Sequence, residues 1–448
     1  KQIYTSCLSQ ASYYVESDGE SIIIDPIRDS KIYEDLVLER GSKVKYIFET
    51  HFHADFISGH LDLKNIFNSE IVFGSEADTN YEITKAANNS VFNIGSIKIK
   101  VLHTPGHTPE SVCYLLLDKN NNEYCVFTGD TLFIGEVGRP DLAISSSVTE
   151  RHLAAQLFDS LHNILMKLSD NVIVYPAHGP GSACGKNFSN ETFSTIGEQK
   201  INNYALQKMT KEEFTDIVLD GILTAPKYFS HDAKMNKEGY LNTSEIIERN
   251  LKKFNEDDIE REVSKGTIIL DVRSGLDFEN GHIKSSVNIT KTFQTFATWV
   301  GAVIPFDKNL IIVCYPGEQK EVISRLARVG FENVIGYLED INEVAPNLID
   351  GLDSIHPEQI FTSNFSDAIF LDVRKPMELE QVGKIRKSIN IRLQELPDRI
   401  CDLNPDKKYL VYCAGGYRSM IAASILKARN FKSVYNIYGG FNSIKKFL

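Results

Sequence analysis

The sequence predicts a multidomain α/β protein, and three observations carry that expectation. The chain has 448 residues, which at about 150 residues per domain corresponds to roughly three domains. Its first 180 residues or so hold short apolar runs that each end in a polar cluster. Its last 180 residues repeat themselves: Ile268-Ile269-Leu270-Asp271-Val272-Arg273 returns 101 residues later as Ile369-Phe370-Leu371-Asp372-Val373-Arg374.

Composition narrows the class. Hydrophobic residues make up 42% and charged residues 24%, an ordinary globular balance that excludes a disordered chain. No apolar run approaches the roughly 18 residues of a membrane span, so a soluble protein with no membrane contact is expected. A net charge of -12 argues against a nucleic-acid surface, which would need basic patches. The seven cysteines (Cys7, Cys113, Cys125, Cys184, Cys314, Cys401, Cys413) are odd in number and form no CxxC pair. Reduced thiols in a cytoplasmic protein are the expectation. The chain opens at Lys1 rather than Met, so a few residues are expected to be missing, and no signal-peptide pattern is present.

The elements follow in order. Tyr13-Tyr14-Val15 and Ile22-Ile23-Ile24 flank Asp18-Gly19, a hairpin signal. Val44 to Phe48 runs into Thr50-His51-Phe52-His53-Ala54-Asp55, and the alternating strand Ile97 to Val101 runs into His103-Thr104-Pro105-Gly106-His107. Val126-Phe127-Thr128 leads to Gly129-Asp130, and Val172 to Tyr175 leads to Pro176-Ala177-His178. Four strands are thus expected to deliver polar residues at one end. Residues 187–255 read as a charged helical appendage and linker, with a helical run from Met209 to Leu223. In the repeat, Gly281-His282-Ile283 answers Gly383-Lys384-Ile385, Asn288-Ile289 answers Asn390-Ile391, and Ile312-Val313-Cys314 answers Val411-Tyr412-Cys413. Two duplicated small α/β domains with parallel sheets are expected. The boundaries predicted are 1–186, 187–255, 256–350 and 351–448.

Eight of the eleven histidines lie between His51 and His178. His51, His53, Asp55, His107, Asp130 and His178 all fall in loops just after strands. Imidazole and carboxylate are the usual ligands of zinc and ferrous iron, so this constellation predicts a metal site. Near the other end, Cys413-Ala414-Gly415-Gly416-Tyr417-Arg418 lies between an apolar strand and a helical run. Such a loop can curl its backbone N–H groups around one sulfur at a helix N-terminus, stabilising a thiolate with help from Arg418.

The His-rich motifs resemble the metallo-β-lactamase superfamily, whose pattern is H-x-H-x-D-H with later His, Asp and His. The resemblance covers residues 1 to about 185 and implies an αββα sandwich. One position departs: the motif's last His is Phe56. A phenyl ring cannot ligate, so a single metal is expected rather than two.

The mononuclear branch that fits is that of the persulfide dioxygenases. It implies one Fe(2+) per chain on His51, His107 and Asp130, a facial triad with open positions for a persulfide sulfur and dioxygen. His53, Asp55 and His178 would then orient ligands or contact bound water, the alternative being that one of them is itself a metal ligand. The same resemblance makes Thr108 and Arg139 substrate contacts, Arg139 either as a forked donor to a carboxylate or phosphate on the thiol carrier or as one partner of a structural salt bridge. The residues after Arg139 depart from the family pattern, which leaves the carrier open. Cys184 either relays sulfur beside the iron or packs as a small buried hydrophobe.

The C-x4-R loop, with Asp372-Val373-Arg374 before it and Tyr438-Gly439-Gly440 after it, resembles a rhodanese domain, with Cys413 and Arg418 as catalytic residues. A phosphatase would have a loop one residue longer. The earlier copy keeps Cys314, but Gln319 replaces the arginine and Pro316 and Glu318 intrude. It is expected to be a degenerate, packing rhodanese-like domain.

Taken together, the domain order resembles persulfide dioxygenase–sulfurtransferase fusions. That implies oxidation of a small-molecule persulfide by dioxygen to sulfite, followed by sulfur transfer from a Cys413 persulfide to sulfite, giving thiosulfate. A homo-oligomer is expected. Two alternatives are a zinc thioester hydrolase like glyoxalase II and a non-catalytic sulfur carrier that uses only Cys413.

Overall fold

The computed structural model describes residues 1–144, 148–186, 188–222, 224–361 and 365–447. Asn187, Leu223 and Leu448, which bound expected segments, lie outside the described residues. The chain divides into two compact units: Lys1–Thr243 with Ala327–Gly330, and Ser244–Leu326 with Phe331–Leu448.

The first unit is built on two six-stranded sheets. One runs Gln2–Thr5, Gln10–Ser17, Glu20–Ile24, Lys43–Phe48, Glu70–Gly74, Thr84–Ala86 in spatial order. Its first three strands pair antiparallel and the rest parallel. The tight turn at Asp18-Gly19 has both residues at positive φ (50° and 80°), the backbone twist that a two-residue hairpin requires. The other sheet runs Ser194–Thr195, Ile173–Pro176, Glu123–Gly129, Val112–Leu117, Ile97–His103, Val91–Ile94.

Period-2 alternation explains how the sheets stack. Val101, Tyr114 and Phe127 face Ile22, Ile24, Phe48 and Val72 of the first sheet. Their neighbours Leu102, Cys113, Leu115 and Val126 turn the other way and are covered by Leu157 and Leu161 of the helix Glu150–Asn163. The helix His60–Phe67 packs on strands Lys43–Phe48 and Glu70–Gly74. Helices therefore cover both outer faces, giving the expected αββα sandwich. Strands Ile97–His103, Glu123–Gly129 and Ile173–Pro176 all run in one direction, so the loops that follow them emerge at one edge.

Residues after the sandwich form the helices Ile196–Asn202, Lys211–Leu219, Tyr228–Glu238 and Thr243–Asn250. Thr195 and Thr210 each close a reciprocal capping box with the glutamate three residues on. Phe214 and Val218 of the second of these helices join the core around Leu157 and Leu161. Through Thr243 this segment is built into the first unit, because the apolar stripe of Lys211–Leu219 has the outer face of a sheet and a helix to cover.

The second unit holds a four-stranded sheet (Val287–Asn288, Ile268–Asp271, Leu310–Val313, Val334–Leu338) and a five-stranded one (Asp353–Ile355, Ser433–Ile437, Lys408–Tyr412, Ile369–Asp372, Ile389–Asn390). Every pairing in both is parallel. The duplication persists in atomic detail. Arg273 forks its own Asp271 and donates to the Gly281 carbonyl at 2.9 Å, while Arg374 does the same with Asp372 and Gly383 at 2.9 Å. Asn288 and Asn390 each donate to two carbonyls of the Asp-Val-Arg segment beside them. The repeated Asp-Val-Arg is thus a buried brace that ties strand end to helix end. Among the described residues, no helix is long and apolar enough to cross a membrane.

Candidate functional site

The first centre is assembled by strand ends. Asp25 closes the apolar strand Glu20–Ile24 and accepts from the Thr50 backbone N–H at 2.7 Å and from its hydroxyl at 2.9 Å. With its proton committed to Asp25, the Thr50 oxygen accepts from Nδ1 of His51 at 3.0 Å. That network assigns the tautomer with a bare Nε2. On the opposite side, Nδ1 of His107 donates to the Arg139 carbonyl at 2.8 Å, which again leaves Nε2 bare. Gly138 makes this approach possible, since a Cβ there would overlap the Asp130 carbonyl oxygen.

The two bare nitrogens converge on one carboxylate. Nε2 of His51 lies 3.9 Å and Nε2 of His107 lies 3.4 Å from Oδ2 of Asp130. All three residues are buried, and both Asp130 oxygens lack a hydrogen-bond partner. A buried carboxylate without donors is strongly disfavoured, and a cation among these three atoms would satisfy it. Burial first, then the imidazoles of His53, His107 and His178, hold His51 well below the ordinary histidine pKa, in the neutral form that ligates metal. The residues therefore fit a metal ion held by two nitrogens and one oxygen.

His53, Asp55 and His178 form an adjoining group whose ligand atoms lie within 4.8 Å of one another. Nδ1 of His178 donates to the Ser9 carbonyl at 3.1 Å, and its Nε2 lies 3.5 Å from Asp55 and 3.7 Å from Asp130. Burial opposes charge on His178, but the Asp55 and Asp130 carboxylates outweigh it and raise its pKa. Nε2 of His53 faces Asp25 at 3.3 Å and Glu49 at 3.6 Å. Burial, reinforced by Asp25, pushes the Glu49 carboxyl well above its usual range. The fully buried Phe56 ring lies against His53, with centroids 4.4 Å apart.

The other expected site residues have structural partners. Thr108 hydrogen-bonds Ser111 through its backbone N–H at 3.1 Å and its hydroxyl at 2.7 Å, which fixes the turn carrying His107. The Arg139 guanidinium forks Asp141 with two contacts of 2.7 Å and donates to the Ala183 carbonyl at 3.2 Å. Its fork is engaged in an ion pair, and it is its backbone carbonyl that serves the metal group. Cys184 is buried, with its sulfur within 4.8 Å of ligand atoms of Asp130 and His178. Burial first, then Asp55 and Asp130, push its thiol well above the usual range and keep it protonated.

Three supporting residues escaped the sequence reading. Asp25 and Thr50 orient His51, and Asp25 carried the same signal as the others, a polar residue ending an apolar strand. Asn236, on the helix Tyr228–Glu238, donates to the carbonyls of His53 and Phe56 at 2.8 Å each and accepts from the Ser58 N–H at 2.9 Å. Nothing local in the sequence marks it. Replacing Thr50 by valine, which removes the acceptor of His51 while keeping the shape, is expected to weaken metal binding about 10–100-fold. Competition with a chelator measures this.

The second centre is the cysteine loop. Cys413 is buried at the end of strand Lys408–Tyr412, and the Gly416 N–H donates to its sulfur at 3.1 Å. Gly416 has φ 102° and opens the helix Tyr417–Ala428, so only glycine turns the chain there without strain. The Phe441 N–H grips the Cys413 carbonyl at 2.7 Å and the Asn442 N–H grips that of Ala414 at 3.0 Å. A Cβ on Gly440 would overlap the Cys413 carbonyl oxygen, which accounts for the Gly-Gly pair in the motif.

Arg418 is less open than expected. Both its terminal nitrogens fork Glu378 at 2.7 Å. Burial opposes its charge, and Glu378 and Cys413 together outweigh it and raise its pKa. In the degenerate copy Asp277, which stands 101 residues before Glu378, accepts instead from the Tyr315 hydroxyl. There, burial and the Glu339 and Glu318 carboxylates push the Cys314 thiol up to about 12.

Comparison with known proteins accords with this geometry. The family model "Metallo-beta-lactamase superfamily" matches residues 5–178, and "Rhodanese-like domain" matches 255–344 and 359–447. A solved metallo-beta-lactamase from Staphylococcus aureus is 30% identical, covering 76% of this chain and 98% of its own at a TM-score of 0.66. The chain belongs to the metallo-β-lactamase superfamily. It joins the metallo-β-lactamase fold to two rhodanese-like domains.

Curated relatives of the metallo-β-lactamase part carry two kinds of name. A hydroxyacylglutathione hydrolase of Dictyostelium discoideum is 37% identical over 37% of this chain and 61% of its own length. The persulfide dioxygenase ETHE1 of Homo sapiens is 29% identical over 46% of this chain and 74% of its own. The chain thus spans about three fifths of the first of these relatives.

Proposed function

We propose that the protein is a persulfide dioxygenase joined to a thiosulfate-forming sulfurtransferase. The observation that carries this reading is Phe56. It stands where the superfamily motif has a ligating histidine and packs on His53 at 4.4 Å, which leaves the donor set of His51, His107 and Asp130 best suited to one ion. A ferrous ion held there would offer open positions to a persulfide sulfur and to dioxygen.

The chain's own residues supply the rest. Thr50 and the Arg139 carbonyl hold the two imidazoles as neutral donors. His178, with Nε2 3.7 Å from Asp130, would contact water bound beside the donor set. The overall conversion takes one persulfide, one dioxygen and one water to one thiol, one sulfite and two protons.

Sulfur transfer is assigned to the second centre. Cys413 thiolate attacks the outer sulfur of a persulfide, the S–S bond breaks, and the carrier leaves as a thiolate. Sulfite then attacks the outer sulfur of the Cys413 persulfide, giving thiosulfate and restoring the Cys413 thiolate. The Gly416 N–H at 3.1 Å stabilises the anionic sulfur throughout. A cytoplasmic site, where thiols stay reduced, agrees with seven free cysteines.

A second reading is a two-zinc thioester hydrolase. It is favoured by the His53, Asp55 and His178 group next to Asp130 and by the hydrolase names among the relatives. Metal analysis with an oxygen electrode separates the two. Close to one iron per chain and persulfide-driven oxygen uptake are expected. Two zinc ions per chain with thioester hydrolysis and no oxygen uptake would overturn the dioxygenase reading.

A further inference from the structure

The degenerate rhodanese-like copy holds a carboxylate that ends a hydrogen-bond chain running to the Cys413 loop. Glu279 lies on the helix Gly275–Asn280 of that copy. One of its oxygens accepts from the Ser354 hydroxyl and the other from the Tyr438 hydroxyl. Ser354 in turn accepts from the side-chain amide of Asn436 at 3.1 Å, and the carbonyl of that amide accepts from the Ser419 hydroxyl at 2.7 Å. Ser419 sits in the first turn of the helix opened by Gly416, and its one hydroxyl proton, given to Asn436, tethers the start of that helix. Gly416 is the residue whose N–H reaches the Cys413 sulfur.

Every hydrogen in this chain points the same way. Ser419 donates to Asn436, Asn436 to Ser354, and Ser354 to Glu279. A carboxylate, which only accepts, is the group that can terminate such a chain, and bonds aligned in this sense polarise one another. Ser419 and Asn436 are buried, and after an amide flip the Ser354 hydroxyl would have to donate to Asn436 instead of Glu279, so Glu279 selects the amide orientation. The second branch is equally pointed. Tyr438 precedes Gly439-Gly440, the turn on which the Cys413 carbonyl rests. Glu279 therefore grips both walls of the cysteine loop.

We propose that Glu279 is a positioning residue for sulfur transfer at Cys413, and that this is what the degenerate copy contributes to the reaction. The proposal rests on the reading of Cys413 as the sulfur-carrying thiolate. Without Glu279 the Ser354 and Tyr438 hydroxyls turn to other acceptors, Asn436 is free to rotate, and the first turn of the helix opened by Gly416, whose N–H aims at the sulfur, loses the tether at Ser419. The ionisable pair nearest Cys413, Arg418 with Glu378, takes no part in the chain and stays intact.

The test uses the full-length protein with Glu279→Ala and Ser354→Ala, which cut the chain at successive links, and Ser354→Thr, which keeps the hydroxyl. Two readouts are taken. One is the kcat for thiosulfate formation from sulfite, and the other is the rate of Cys413 alkylation by iodoacetamide at neutral pH, followed on its own peptide. Both are expected to fall roughly 10–100-fold in the two alanine variants and to return in Ser354→Thr, with oxygen uptake unchanged throughout. Should Glu279→Ala fail to fold, Ser354→Ala carries the same expectation alone. Alanine variants with wild-type alkylation and kcat would overturn the proposal. A wild-type protein that alkylates readily at Cys413 yet makes no thiosulfate would instead overturn the sulfurtransferase reading, while the alkylation rates still decide the role of Glu279.

Discussion

Replacing Cys413 by serine is expected to lower thiosulfate formation about 10³-fold or more while persulfide-driven oxygen uptake continues at the wild-type rate. The loss follows from chemistry. A serine hydroxyl is ionised to a negligible extent near neutral pH and cannot hold a sulfane sulfur through an S–S bond, so no persulfide forms. The geometry is otherwise kept: the Gly416 N–H finds an oxygen in place of a sulfur, and the grip of Phe441 on the backbone carbonyl is unaltered. Sulfite should therefore accumulate in step with the oxygen consumed, and product analysis for sulfite and thiosulfate reads this directly. Undiminished thiosulfate from the variant would remove Cys413 from the reaction.

The second large effect is expected at Asp130. Asp130→Ala should abolish oxygen uptake and reduce bound metal by more than the roughly 10–100-fold typical of residues that only support a ligand. It removes the one anionic donor and leaves two neutral imidazoles, His51 and His107. The variant should nonetheless fold. Neither Asp130 oxygen has a hydrogen-bond partner, Asp55 disfavours its charge and His178 at 3.7 Å favours it, so its loss should shift the melting temperature of the metal-free protein little. Sulfur transfer at Cys413 should persist, as it draws on the other centre. Elemental analysis, the oxygen electrode and thermal melts cover the three claims. An Asp130→Ala protein that keeps its metal would displace Asp130 from the donor set.

Much of the arrangement could be read from the chain. Strand ends were legible because an apolar run that stops at a polar residue is a local pattern, and His51, His107, Asp130 and His178 all follow one. The duplication was legible because it repeats residue for residue, and the shared brace of Arg273 and Arg374 explains why those letters persist. Partners were not legible. For Arg139 a structural salt bridge was one of two readings, and Asp141 supplies it; the Glu378 partner of Arg418 was hidden, since no periodicity reports an ion pair between residues 40 apart. Asn236 was hidden for the same reason. It lies about 180 residues from the loop it holds, on a helix whose pattern records only its apolar face. Sheet order was also absent, since pairing is set by how faces are covered in three dimensions rather than by any local motif.

Asn236 bears on how the metal-binding part could be studied in isolation. A truncation at residue 186 would look sound from the family match, which ends at residue 178. It would nevertheless strip the side chain that bonds the His53 and Phe56 carbonyls and the Ser58 amide together. Three interior main-chain groups would be left without that partner, at about 1–3 kcal/mol for each one that finds no other, in the very stretch that carries His51, His53 and Asp55. An excised fragment of that length would be expected to bind metal poorly for reasons unrelated to its ligands, whereas one extended through residue 243 would keep the clasp.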